Sequence, residues 1–229
     1  MKFKPSYTSS IAEDIMAERL IRAQAVEFLA DAPMRLKSGL ISPVYVDNRK
    51  LFSHPEAWRD IVETMASRVE EYDLEFDIVA GVEAAGSMHA AALAYRLGLP
   101  AIMVRQKAKT YGNHSRIEGG DVKGMRVLLL EDHISTGLSC LDAIRALRGE
   151  GAQVTQGMSS TNYAIPETQR LFKQEGIDTY DVIAFEKVVR KAKEMGVIDD
   201  EHEKLVLEWL QTPWTWAAMH GVVASAIEN

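Results

Sequence analysis

Two adjacent acids, Glu131 and Asp132, end the run VLLLED, and Ser135, Thr136, Gly137, Leu138 and Ser139 follow at once. Those types in that order combine two opposed chemistries. A strand that turns through glycine into a helix presents backbone N–H groups, hydroxyls and the positive end of the helix dipole, which together hold an anion. The carboxylates beside it would repel a bare phosphate. They would not repel a sugar phosphate whose hydroxyls reach them, because ionised carboxylates accept hydrogen bonds from vicinal diols. The ligand class suggested is a ribose 5-phosphate unit. A nucleoside-triphosphate loop is excluded, since GxxxxGK[ST] is absent and no lysine lies in the turn, and GVEAAG at 81–86 does not match GxGxxG. Taken alone, the stretch fits equally well a strand that ends in acids before an ordinarily capped helix.

A second segment, VRQKAKTYGNHSRIEGG, carries Arg105, Lys107, Lys109 and Arg116 with no acid before Glu118. Gly112, Asn113, Gly119 and Gly120 predict a mobile loop there. Such a loop suits a second anionic group such as pyrophosphate, and closing over it would exclude water. An ordinary solvated basic loop has the same composition.

The elements that must position these groups alternate along the chain. A helix is predicted from Ser9 or Ser10 to about Ala30, then turns at Ser38-Gly39 and Ser42-Pro43 with a short extended run, then a helix from Pro55 to about Glu71. Strands follow at 77–82, 101–105, 126–130, 153–160 and 181–185. Helices at 87–97, 139–149 and after Pro166 separate them, with a polar loop from 106 to 124. Strands joined by helices imply right-handed crossovers and a mostly parallel sheet covered on both faces. Such sheets bind ligands at the carboxyl ends of their strands, where Glu131 and Asp132 fall. The chain beyond Phe185 reads as helical, broken near Gly196 and Thr212-Pro213, with Trp209, Trp214 and Trp216 on a packing face. The organisation expected is an N-terminal cap over residues 1–60, an α/β core over 61–185 and a helical extension over 186–229.

Composition narrows the function. The 229 residues are 47% hydrophobic and 26% charged, which is globular. The formal charge is 26 − 33 = −7, against general nucleic-acid binding, which needs excess Lys and Arg. A lone Cys140 allows no internal disulfide, and no Cys/His set has zinc spacing. The N-terminus lacks a signal-peptide core and no uncharged apolar run approaches a membrane span, so a soluble, cytoplasmic protein is expected.

The stretch VLLLEDHISTGLS resembles the phosphoribosyl diphosphate (PRPP) motif of type I phosphoribosyltransferases. With LKSGLISPVYVDNR, GVEAAGSMHAA, VRQKAKTYG and RIEGG in this order, the chain is similar to orotate phosphoribosyltransferases over roughly Leu36 to Tyr163. The resemblance implies the type I fold, with an N-terminal hood and a helical C-terminal extension, and transfer of phosphoribose from PRPP to orotate. It implies Mg²⁺ bound mainly through PRPP, and a homodimer sharing the loop 105–119 across its interface. It implies that Glu131 and Asp132 hold the ribose hydroxyls and that Ser135, Thr136, Gly137, Leu138 and Ser139 bind the 5′-phosphate, with His133 and Ile134 beside them and Ser135 also near the orotate ring. Arg105 and Lys109 would meet the diphosphate, Lys109 in the neighbouring subunit's site, and Lys107 is a further substrate-binding candidate. The residues implied to carry catalysis are Lys109, Arg105 and Asp132. Lys37 matches a lysine of the base and PRPP site, and the backbone of Tyr45 and Val46 would lie against orotate.

The chain departs from the family pattern in places. Ala84-Ala85 stands where many members have Tyr-Lys, Tyr111 where a loop histidine is usual, with His114 as its alternative, and SSTNYAIPE where many have Asp-Arg for the orotate carboxylate. Arg49 is then the candidate carboxylate partner. Alternatives are the same fold acting on another base, such as a purine, and a PRPP-binding regulator without catalysis.

Overall fold

Five parallel strands form the centre of the protein in the computed structural model, which describes residues 9–108 and 115–222. The chain opens with α1 (Ser9–Arg22), β1 (Val26–Phe28), the hairpin β2 (Met34–Arg35) and β3 (Ile41–Ser42), β4 (Val44–Val46), a 3-10 turn (Asn48–Ser53) and α2 (Pro55–Glu71). It continues through β5 (Ile78–Val82), α3 (Ala85–Leu97), β6 (Ala101–Val104), β7 (Ile117–Glu118), β8 (Arg126–Ile134) and α4 (Leu138–Gly149). It ends with β9 (Gln153–Asn162), α5 (Pro166–Gln174), β10 (Asp178–Ala184), α6 (Phe185–Glu194), α7 (Asp200–Gln211) and α8 (Trp216–Met219).

The large sheet runs β10-β9-β8-β5-β6-β7, parallel throughout except for the short antiparallel edge strand β7. Parallel strands covered on both faces tend to be apolar along their length: every residue of β5 is buried and apolar, whereas the end of β9 buries Ser159, Ser160, Thr161 and Asn162. Leu128 and Leu130 of β8 face one core, shared with α1, α2, α3, α6 and α7. Val127 and Leu129 face a second, under α4 and α5. The first core draws on the N-terminal stretch, the sheet and the C-terminal helices together. Trp209 ties them directly, buried against Tyr163 and donating through Nε1 to the Ile41 carbonyl at 2.8 Å.

The first helix is shorter than its sequence suggests. It stops at Arg22, Gln24 turns with φ +53°, and Val26–Phe28 pairs antiparallel with Val44–Val46. Val and Phe at alternate positions satisfy a strand as well as a helix, and the partner strand decides. Strand β8 runs four residues beyond its expected end, so the acids lie within it rather than after it. The loop expected over 106–124 contains β7, paired with the end of β6. Of the three late tryptophans, Trp209 and Trp216 are buried whereas Trp214 is exposed.

Candidate active site

Strand β8 delivers its two acids to the carboxyl edge of the sheet, between β5 and β9. By Ile134 the two sides of the strand have exchanged: Ile134 packs in the core of Val127 and Leu129 rather than that of Leu128 and Leu130. Glu131 is 9% exposed and accepts the Asp132 N–H at 3.2 Å. Burial, and then the neighbouring Asp132 charge, push the Glu131 carboxyl well above the usual range. Asp132 is half-buried. The start of α3 presses on this pair, since a Cβ on Gly86 would lie 2.6 Å from the Leu130 carbonyl and 3.1 Å from Glu131 Oε1. A Cβ on Gly81 would lie 2.4 Å from Ser87 Cα, so both glycines of GVEAAG serve close packing.

The turn after the acids leads directly into α4. Gly137 has φ +73°, and a Cβ there would meet Phe172 and Thr168 at 2.9 Å. Thr168 Oγ1 donates to the Ser135 carbonyl at 3.2 Å and so fixes the turn from α5. Among the described residues no side chain caps α4, and its first turn has no acid. Its leading N–H groups are therefore available to a ligand. Ser135 Oγ is buried and unpartnered among the described residues, Thr136 is half-buried, and Leu138 and Ser139 are exposed. The ordinarily capped helix is thereby set aside.

The cationic side is built at the end of β6. Arg105 Nη1 lies 3.2 Å from Glu118 and its Nε 3.9 Å from Glu83. Arg116 holds the stem of the loop, donating from Nε to the Arg105 carbonyl at 2.7 Å and from Nη2 to Asp142 on α4 at 2.6 Å. Lys107 is exposed. Glu83 precedes a cis peptide to Ala84 and accepts the Gln106 N–H at 3.0 Å. Lys109, Tyr111 and His114 lie outside the described residues.

The N-terminal stretch reaches the same edge. Asn48 Nδ2 donates to the Asp132 carbonyl at 2.6 Å and to Thr161 Oγ1 at 2.8 Å. Tyr45 is half-buried on β4, with Val46 buried beside it. Arg49 is exposed and locked by Asp47, which accepts from Nε at 2.6 Å and from Nη2 at 3.0 Å. The Asp47 partnership raises the Arg49 pKa, with smaller contributions from the fields of Tyr45 and Asp132. Lys37 sits exposed on the β2–β3 turn, and among the described residues no hydrogen bond or ion pair joins it to the strand end. His133 turns its ring to Thr161 and Tyr163, and Ile134 is a core side chain whose carbonyl accepts the Tyr163 N–H at 3.0 Å. Asn48 and Thr161 were not among the expected site residues. Asn48 stands inside the quoted DNR segment, but its partners are 84 and 113 residues away.

Comparison with known proteins bears on this geometry. A model of the phosphoribosyl transferase domain matches residues 47–159, which hold the acids, the α4 turn and the basic stem. The orotate phosphoribosyltransferase of Coxiella burnetii (strain RSA 493 / Nine Mile phase I) is 40% identical over 201 residues, 88% of this chain and 96% of that protein. The chain belongs to the orotate phosphoribosyltransferase family. Among solved structures, the orotate phosphoribosyltransferase of Aeropyrum pernix superposes with a TM-score of 0.68 at 28% identity, covering 80% of this chain and 99% of that one. The Mycobacterium tuberculosis H37Rv orotate phosphoribosyltransferase in complex with PRPP superposes with a TM-score of 0.60 at 26% identity, covering 77% and 98%. The sheet and its helices are thus the type I phosphoribosyltransferase fold of that family.

Proposed function

We infer that the chain transfers the 5-phosphoribosyl group of PRPP to orotate, giving orotidine 5′-monophosphate and pyrophosphate for pyrimidine synthesis. The observation that carries this reading is the pairing of Glu131 and Asp132 with an α4 start that no described side chain caps, in a chain aligned with an orotate phosphoribosyltransferase over most of its length. Asp132 and Glu131 accept from the ribose hydroxyls, the turn from Ser135 to Ser139 cradles the 5′-phosphate, and Ser135 Oγ also faces the base. The N-terminal cap forms the hood over the base, with Lys37, the backbone of Tyr45 and Val46, and Arg49 as the partner of the orotate carboxylate.

Breaking the C1–O bond to diphosphate develops positive charge on the ribose ring and negative charge on the leaving group, while the pyrimidine nitrogen attacks from the opposite face. Arg105, turning from Glu83 and Glu118, meets the departing charge together with Lys107 and Lys109. Mg²⁺ would be bound mainly through the oxygens of PRPP rather than by protein ligands. Among the described residues no group of three or more ligating side chains stands ready for a metal, so substrate oxygens and water would complete the shell. Mg²⁺ would neutralise diphosphate charge as the bond breaks.

The active form proposed is a cytoplasmic homodimer in which Lys109 of each subunit serves its neighbour. Mixing Lys109→Ala and Asp132→Asn subunits, each inactive alone, should then restore part of the activity. Among the described residues no helix is long and apolar enough to cross a membrane. The reaction itself is tested by the loss of orotate absorbance with PRPP and Mg²⁺, beside uracil, adenine and hypoxanthine. Orotate is expected to be consumed; turnover of a purine but not orotate would overturn the reading.

A further inference from the structure

Asn48 carries none of the roles assigned above, yet its surroundings do not suit a side chain that only fills space. It is fully buried at the start of the 3-10 turn. Its Nδ2 donates both to the carbonyl of Asp132 and to Thr161 Oγ1, at 2.6 and 2.8 Å. One residue of the N-terminal stretch therefore grips the ends of β8 and β9, at the main chain of the acid proposed to hold the ribose. Its Oδ1 is buried with no partner among the described residues. An unsatisfied buried acceptor costs stability, and a half-satisfied buried amide holds a fold together less well than an apolar residue of its size. What the amide does for Asp132 accounts for its place better than stability does.

Thr161 extends the grip. Its Oγ1 accepts from Asn48 and lies 2.9 Å from His133 Nδ1. Beside the Asn48 donor, the Thr161 hydroxyl keeps a hydrogen and a second lone pair for His133 Nδ1, so it joins the two side chains whichever ring nitrogen carries the proton. Burial pushes the His133 pKa down to about 4, which keeps the ring neutral. The ring meets Tyr163 edge-on at 4.2 Å, and Tyr163 donates to the Val44 carbonyl at 3.2 Å. Val44 and Asn48 belong to one short stretch, so the chain of contacts closes on itself.

We propose that Asn48 is a positioning residue: through the Asp132 carbonyl and Thr161 it fixes the strand end so that the Asp132 carboxylate meets the ribose hydroxyls. The seating of the N-terminal stretch is thereby coupled to the ribose site. The proposal rests on the transferase reaction inferred above.

Asn48→Asp keeps the shape but replaces the donor with a carboxylate oxygen facing the Asp132 carbonyl. It should lower kcat/KM for PRPP about tenfold to a hundredfold, the scale of a small misplacement of a reacting group. The KM for orotate should stay within about twofold, because the base contacts the proposal assigns are elsewhere. Thr161→Val should repeat the loss in part and Thr161→Ser should recover it. A folded Asn48→Asp protein with PRPP constants within about twofold of the parent overturns the proposal. So do equal rises in KM for PRPP and orotate, which mark a general loosening. If Asn48→Asp does not fold, the Thr161→Val and Thr161→Ser pair decides by the same constants. A parent that fails to turn over orotate refutes the transferase reading instead. Calorimetric binding of ribose 5-phosphate then decides, with at least about tenfold weaker binding to Asn48→Asp expected and equal affinity overturning the proposal.

Discussion

Helices α4 and α7 are of equal length, 12 residues, and begin in opposite ways. Asp199 caps α7, accepting the His202 N–H at 2.9 Å, and Asp200, Glu201 and Glu203 follow in its first turn, where acids complement the dipole. Helix α4 starts from a glycine, with no side-chain cap among the described residues and no acid in its first turn. The fold satisfies one helix start from its own sequence and leaves the other, beside Glu131 and Asp132, open. On the proposed reading, α7 begins for stability and α4 for an anion that arrives with its own hydroxyls.

The largest test of that contrast lies on the site side. Lys109→Ala should lower kcat about 10²–10³-fold, the usual loss when one preorganised charge contact is removed, with little change in thermal midpoint. Near-normal turnover would sink the assignment of Lys109 to the departing diphosphate. Ser139→Glu places at α4 the kind of acid that α7 already carries. It should leave the fold intact but raise the KM for PRPP at least about tenfold, the equivalent of ~1.4 kcal/mol, through repulsion of the phosphate.

Glu131→Gln should separate stability from function. The buried site disfavours the charged carboxylate, so the folded pKa is raised and the fold prefers Glu131 protonated. The penalty is absent below about pH 4.3, the unfolded value, and grows as pH rises through the folded value. Glutamine escapes it. The variant should melt above the parent near neutral pH, lose that advantage in acid, and bind PRPP more weakly. A variant that melts lower than the parent at neutral pH would contradict the assignment. The smallest effect belongs to the other helix. Asp199→Ala should lower the thermal midpoint by about 2–4 °C and leave every kinetic constant alone, because the α7 cap faces no ligand in this account.

Much of this was legible in the sequence because it is local. The alternation of apolar strands and helices announces a parallel sheet, and acids followed by a Thr-Gly turn point to the sugar phosphate proposed above. The family resemblance then orders the pieces. What escaped depends on distance along the chain. Val26–Phe28 became a strand only through Val44–Val46, and Gly86 reads as a loop glycine until the Leu130 carbonyl stands 2.6 Å from where its Cβ would be. Asn48 sits in a quoted motif, yet nothing nearby says that it will bind the strand end bearing Asp132. His133, placed by the resemblance beside the phosphate-binding residues, turns its ring to Thr161 instead.

Titration calorimetry with ribose 5-phosphate tests the central contrast most directly. The parent and Asp199→Ala should bind it equally, and Ser139→Glu at least about tenfold more weakly. Equal affinity for the parent and Ser139→Glu would contradict the claim that the open start of α4 is the phosphate site.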